Sequence, residues 1–304
     1  MVNVSGVNFT TLYSNNCSNH ELERILRLPL PSLIGLTLFN TLFAVTGTFG
    51  NILVLLAVMK NSCLQTVTDL FIFSLASADL IVTSVRQPLI IYDLYNQQTD
   101  NKNVAYDIFR TVSYISTPAA VTCMFAVTID RFFAIRRPFR YALIVTKRRA
   151  LMAIAMCWGL SVMVAMGFRF LLVVTRYFMW VCMAVSLLAT LGIYVYLFAI
   201  AKQHQNKIVN LNGFHLNNAN INRQKHERKA TKTIALVVGV FITFYIPFLV
   251  YPFAAVKRGE HFYQGYWWVY SLCLWNSSIN PYIYCARNSR YRDAFSKLLR
   301  LKTN

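Results

Sequence analysis

The residues with chemistry to offer sit where an apolar chain should carry none. Asp79, in the run SLASADL, is a carboxylate midway along a stretch otherwise free of charge. Asn51 (GTFGNILV) falls midway along an earlier apolar stretch, and Asn276, Ser277 and Asn280 (WNSSINPYIY) fall midway along the last. Asn276 and Asn280 are four apart and share a helical face. One carboxylate among amides and hydroxyls at a single depth makes a small hydrated cavity suited to a cation such as Na⁺. Polar glue between helices is the competing reading, and spacing leaves both open. A second constellation pairs Asp130 and Arg131 (TIDRFFAI) with Glu227 (KHERKATK), an ion pair across two helix ends of the size that can open, about 0–1 kcal/mol. A third comprises Arg86, Arg110 and Arg169. Guanidinium groups near one vestibule match a carboxylate or phosphate, although charged groups near helix ends generally snorkel to the headgroups or pair with neighbours such as Asp93 and Asp107. Tyr92, Phe248, Tyr251 and Trp267 supply aromatic walls for such a vestibule; Tyr266, Trp267 and Trp268 equally suit an interfacial belt. No nucleophile–base pair, metal-ligand cluster or phosphate-binding loop is present, so the sequence does not read as an enzyme.

These groups need helices to hold them. The chain has 304 residues, is 56% hydrophobic and only 13% charged, with a mean hydropathy of +0.44. A soluble domain of this size could not hide that much apolar surface. Seven stretches approach the ~20 apolar residues a span requires: roughly 33–59, 67–92, 106–135, 150–173, 178–201, 230–256 and 266–286. Backbone groups in lipid must be satisfied within the segment, so each is expected to be a helix. Lys and Arg concentrate in alternate loops, around 136–149, 202–229 and after 286, which places the N-terminus outside and the C-terminus inside. The net charge of +19 follows from that bias and faces the anionic inner leaflet; the basic residues lie in several loops rather than on one face, which disfavours nucleic acid. Sequons at Asn3, Asn8 and Asn16 lie on the outer segment. No apolar core precedes residue 28, so the first helix is expected to serve as the targeting signal. The expected layout is an outer segment 1–32, a bundle 33–286 and a tail 287–304. Pro247 (FITFYIPFLVYPF) and Pro281 each free a carbonyl and allow a bend, giving two helices a choice of arrangements.

Taken together, Asn51, SLASADL around Asp79, the triplet Asp130-Arg131-Phe132, Trp158, FYIP ending at Pro247 and NPYIY from Asn280 to Tyr284 resemble the rhodopsin-like (class A) G-protein-coupled receptors in order and spacing. The match runs over about residues 33–300. It implies an all-α membrane protein, a seven-transmembrane helix bundle in the plasma membrane with a short amphipathic eighth helix in RNSRYRDAFSKLLR. Its partners would be an extracellular ligand, a heterotrimeric G protein, arrestin and membrane lipid. Asp79, Asn276, Ser277 and Asn280 resemble the family's sodium-pocket set, with Ala120 where a serine is usual; Na⁺ is the one allosteric ion implied, and no cofactor. Arg131 resembles the residue that releases Glu227 and meets the G protein. Tyr284 and Tyr194 look like the pair that swings inward, and Phe241 and Tyr245 take the core-switch positions, with Tyr245 where Trp is the rule.

Departures narrow the subgroup. Tyr106 stands where the outer disulfide cysteine is usual, the loop at about 171–177 is short, and Ser186 replaces the fifth-helix proline; these features resemble the melanocortin branch, within a cluster that includes adenosine, cannabinoid and lysophospholipid receptors. Leu89, Tyr106 and Arg110 occupy the acidic positions by which melanocortin receptors hold calcium and peptide. Ser113 occupies the amine-binding position and Leu274 the retinal-lysine position, so neither a classical amine nor retinal is implied. Ser186 and Tyr245 suit high ligand-independent activity. The alternative of another class is a seven-helix transporter or ion pathway using Asp79, although the internal repeats usual for transporters are missing.

Overall fold

A computed structural model of the chain describes residues 3–4, 7–8, 28–96, 104–137, 140–170, 181–193, 195–196, 199, 239–240, 243–251 and 260–300. Asn16, Tyr194, Glu227 and Phe241 lie outside these, as does the side chain of Arg169.

The first expected span is α1 (Leu30–Lys60), which begins with Pro31 in its first turn, where a missing N–H costs nothing. Its end is closed by Asn61, whose Nδ2 donates to the Ala57 carbonyl at 2.8 Å. The second is α2 (Val67–Tyr95). Its start is fixed by a capping box: Thr66 receives the Asp69 N–H, and the Asp69 carboxylate receives the Thr66 N–H. Within α2, residues Val82–Arg86 form a π-helical turn. The third is α3 (Val104–Arg136), continuous through Pro118. A one-turn helix, Tyr141–Ile144, precedes α4 (Lys147–Phe170). Then follow α5 (Val181–Ile193), helical residues at 243–251 that we call α6, α7 (Glu260–Arg287) and α8 (Ser289–Leu298). Two short strands, Asn3–Val4 and Val7–Asn8, pair antiparallel and set the sequon residues Asn3 and Asn8 opposite each other.

Among the described residues, α1 to α4 are long and apolar enough to cross a membrane. Their apolar side chains point outward as much as inward: in the most apolar window of α4 only 22% of residues are buried, and Met156 and Met163 are 71% and 70% exposed. That surface is stable only against acyl chains. The helices α1, α2, α3 and α7 pack into the bundle, and α8 returns against α1. Its interior has three apolar clusters: Leu36, Ile90, Tyr266 and Trp267 at the end remote from α8; Leu75, Ala120, Met124 and Tyr245 in the middle; Val54, Leu64, Ile72 and Tyr291 at the α8 end.

Two expectations need correction. Pro281 bears on α7 but does not break it, and the helix runs without interruption from Glu260 to Arg287. The interfacial-belt reading fails for Tyr266 and Trp267, which are 2% and 1% exposed and form part of the interior.

Candidate functional site

The polar residues singled out from sequence gather at three levels of the bundle. At mid-depth, Asn280 Nδ2 donates to Asp79 Oδ2 at 2.8 Å, joining α2 to α7. Asn51 Nδ2 donates to two carbonyls, Gly47 within α1 and Ser277 in α7, both at 3.0 Å. The Ser277 carbonyl is the one that loses its helical donor, because residue 281, four positions on, is proline and carries no N–H. The amide of Asn51 therefore repairs the defect that Pro281 makes, and α7 stays continuous. Close approach permits it: a Cβ on Gly50 would lie 2.9 Å from Pro281 Cβ, and one on Gly47 2.6 Å from both Ser278 Oγ and Thr83 Cγ2. Three buried oxygens at this level, Asp79 Oδ1, Asn51 Oδ1 and Asn276 Oδ1, have no hydrogen-bond donor among the described residues. Oxygen acceptors without donors, one of them from a carboxylate, fit a hard cation or water. Ala120, packed with Leu75 and Ala78, brings no oxygen of its own.

At the α8 end, Asp130 is 2% exposed and its carboxylate is held from two elements. Thr68 Oγ1 of α2 donates to Oδ2 at 2.7 Å, and Tyr141 Oη of the one-turn helix donates to Oδ1 at 2.6 Å. Burial, and after it the hydrogen bond to Asp130, push the Tyr141 phenol up to about 12, so it stays a donor at neutral pH. Arg131 lies beside the same carboxylate, Nε to Oδ2 3.9 Å, with its side chain 34% exposed. A pair that long and that accessible contributes at most about 0–1 kcal/mol, so Arg131 can be drawn away. Thr68 and Tyr141 escaped the sequence reading; neither has a spacing that marks it. Tyr284 of α7 packs on Tyr291 of α8, ring centroids 5.9 Å apart.

At the opposite end, the three arginines separate. Arg86 does not snorkel. It is 3% exposed, its Nε donates to Tyr270 Oη at 2.6 Å, and its guanidinium lies over the rings of Tyr270 and Tyr114 at 5.2 and 5.8 Å. The cause is local: the π-turn ending at Arg86 resets the helical phase just before Gln87 and turns this side chain toward α3 and α7. Arg110 joins the same group, its Nε donating to Tyr114 Oη at 2.9 Å and its charge 5.5 Å from that ring. Tyr114 is thus shared by two guanidinium groups, a cation–π arrangement that gains strength out of water. Arg169 lies in the last turn of α4. Ser113, 1% exposed, donates its hydroxyl proton to the Phe109 carbonyl. Tyr106 donates to Asp93 Oδ1 at 2.7 Å, occupying a carboxylate on this side. Phe248 packs on Tyr270 at 5.5 Å and also touches the middle cluster that contains Tyr245; Tyr251 packs on the cluster of Tyr266 and Trp267. The shared tyrosines were missed in the sequence, except that Tyr114 stands four residues after Arg110, a spacing that places them on one face.

Residues 50–177 and 168–284 match the 7 transmembrane receptor (rhodopsin family). An alpha-1A adrenergic receptor of Oryzias latipes is 28% identical over 95% of this chain and 71% of its own length. An octopamine receptor beta-2R of Chilo suppressalis is 25% identical, covering 85% and 78%. A melanocortin receptor 5 of Mus musculus is 26% identical, covering 88% and 84%. The relatives are receptors rather than transporters or enzymes, and the matched segments carry Asn51, Asp79, Asp130, Arg131, Asn280 and Tyr284. This chain belongs to the rhodopsin family of seven-transmembrane receptors.

Proposed function

We propose that the chain is a plasma-membrane receptor, N-terminus outside, that converts binding of an anionic extracellular ligand into activation of a heterotrimeric G protein, with arrestin and inner-leaflet lipid as further partners. The observation that carries the ligand class is Arg86, a guanidinium 3% exposed and held among tyrosines of α3 and α7 rather than extended to headgroups. With Arg110 it sets two positive charges around one ring, which favours a carboxylate or phosphate over an amine. Several relatives are named for amines, but Ser113 stands at the amine-binding position and its hydroxyl is turned to its own helix. Phe248 links this cluster to Tyr245, so a ligand that moves Tyr270 bears on α6 near Pro247. Coupling then runs through Arg131, whose loose pairing with Asp130 leaves it free to be drawn toward a G protein. The unpartnered oxygens beside Asp79 support Na⁺ as an allosteric ion at that level, and Tyr245 and Ser186 support high basal activity. The sequons at Asn3, Asn8 and Asn16 would carry glycans under this orientation.

The decisive experiment is second-messenger output, cyclic AMP and calcium, in cells expressing the chain without added ligand, beside Arg131→Ala at equal surface expression. A basal signal that disappears in the variant is expected. A signal of equal size in both would remove Arg131 from the coupling role.

A further inference from the structure

We infer that Asp69 and Tyr291 are positioning residues for coupling: their hydrogen bond ties α8 to the start of α2 and thereby fixes the resting place of Tyr284. The inference rests on the G-protein reading above.

The Asp69 carboxylate is 1% exposed and faces two ways. Oδ2 receives the Thr66 N–H at 3.2 Å and the Thr66 hydroxyl at 2.6 Å, which completes the cap of α2. Oδ1 receives the Tyr291 hydroxyl at 3.0 Å, from a helix 222 residues away. Capping α2 uses one oxygen; the second is spent on α8. Tyr291 is itself 0% exposed, and its ring fills an apolar slot among Val54, Leu64, Ile72 and Phe295. A phenylalanine would fill that slot equally well, so the hydroxyl has a task that packing does not explain. Burial, and after it the negative charge of Asp69, raise the Tyr291 phenol above its ordinary range, which keeps it a donor. On its other side Tyr291 packs against Tyr284, and the next residue back, Arg290, holds the turn after α1 through the Cys63 carbonyl at 3.1 Å.

The mechanical consequence follows from these contacts. For Tyr284 to swing into the bundle it must leave the Tyr291 ring, or α8 must follow it. The bond to Asp69 prevents α8 from following. Ligand-driven activation therefore works against this contact, and loosening Tyr291 lowers the resistance. Removing one hydroxyl shifts the balance toward the active arrangement.

The test uses the full chain in lipid nanodiscs. Tyr291→Phe keeps the ring and removes the bond, and basal nucleotide exchange on a purified heterotrimeric G protein is expected to rise about three- to tenfold, a shift of the size the net contribution of one ordinary hydrogen bond supports. In a Tyr284→Ala background the same substitution is expected to give no rise, because the route runs through Tyr284. Asp69→Asn, which keeps an oxygen for Tyr291 while losing the cap, is expected to give a smaller gain than Tyr291→Phe. Unchanged or reduced exchange in Tyr291→Phe, or a gain that survives in Tyr284→Ala, overturns the inference. A second measurement separates its failure from failure of the receptor reading: the nitroxide distance between Cys63 and Ser296→Cys. A broader distribution in Tyr291→Phe with no exchange in any variant rejects the coupling reading while showing the tie. An unchanged distribution rejects the tie itself.

Discussion

The repair of α7 by Asn51 can be tested as a thermodynamic cycle. The Ser277 carbonyl has lost its helical donor to Pro281 and takes the Asn51 amide at 3.0 Å instead. Asn51→Ala leaves that carbonyl buried and unpaired. A buried acceptor without a donor costs about 1–3 kcal/mol in general, while hydrogen bonds between membrane helices average about 0.6 and reach about 1.7 kcal/mol; about 1–1.5 kcal/mol is the reasonable figure here. Loss of the side chain's packing beside Gly47 and Pro281 adds somewhat less. At about 2–4 °C per kcal/mol, the figure for larger domains, a total of about 1.5–2.5 kcal/mol should lower the melting temperature in detergent by about 3–10 °C. Pro281→Ala carries the discriminating information. It restores an N–H at residue 281, four positions after Ser277, so the carbonyl regains a helical donor and Asn51 becomes redundant for it. In the Pro281→Ala background, Asn51→Ala should therefore cost about 1 kcal/mol less, some 2–4 °C, measured at one scan rate because membrane proteins often unfold irreversibly. The void that Pro281→Ala opens beside Gly50 is common to the single and the double variant and cancels. Additive shifts would refute the reasoning: Asn51 would then be stabilising for some reason other than the proline.

Two further outcomes are expected. Replacing choline chloride by sodium chloride should raise the melting temperature of the parent chain and leave Asp79→Asn unmoved; an equal rise in both would exclude the cation reading of Asp79, Asn51 and Asn276. Tyr141 has its phenol pushed up to about 12, above the ordinary value near 10, so its stabilising bond to Asp130 is present below about pH 10 and lost as pH rises through about 12; a phenolate difference titration of the parent against Tyr141→Phe should lose a late-titrating group, and loss of one that titrates near 10 would contradict this.

Much of the helical architecture could be read from hydropathy, because a bilayer leaves the backbone few choices. The end of α1 at Lys60 and the span of α3 fall within a residue or two of the apolar runs. The start of α7 does not: it begins at Glu260, six residues before the expected boundary, because Glu260, His261 and Gln264 lower the hydropathy of this stretch and hydropathy takes no account of a helix projecting beyond the apolar layer. The mid-depth polar group was visible because each member violates the pattern of its own helix. The bonding that makes it intelligible was not, since Asn51 answers a defect 230 positions away and no local spacing records that. Arg86 shows a different failure. Snorkelling is a fair expectation for an arginine on an ordinary α-helix, but a π-turn changes the helical phase and thus the neighbours, and the sequence VTSVR does not announce one. Thr68, Tyr141 and Tyr291 are common residue types in unremarkable positions, made significant only by the carboxylates they meet.

The ties between α1 and α7 bear on how the protein is made. Asn40 donates to Ser271, Asn51 to the Ser277 carbonyl, Ser278 to the Phe43 carbonyl and Tyr282 to the Thr46 carbonyl. These partners lie 226–236 residues apart, so the first helix to leave the ribosome carries unmet hydrogen-bonding groups until almost the whole bundle has been synthesised. During that interval α1 depends on the translocon, water or a chaperone to shield its amides. Substitutions along this seam should therefore show up first as a lower yield of mature protein at the cell surface, with little change in the signalling of the molecules that arrive there.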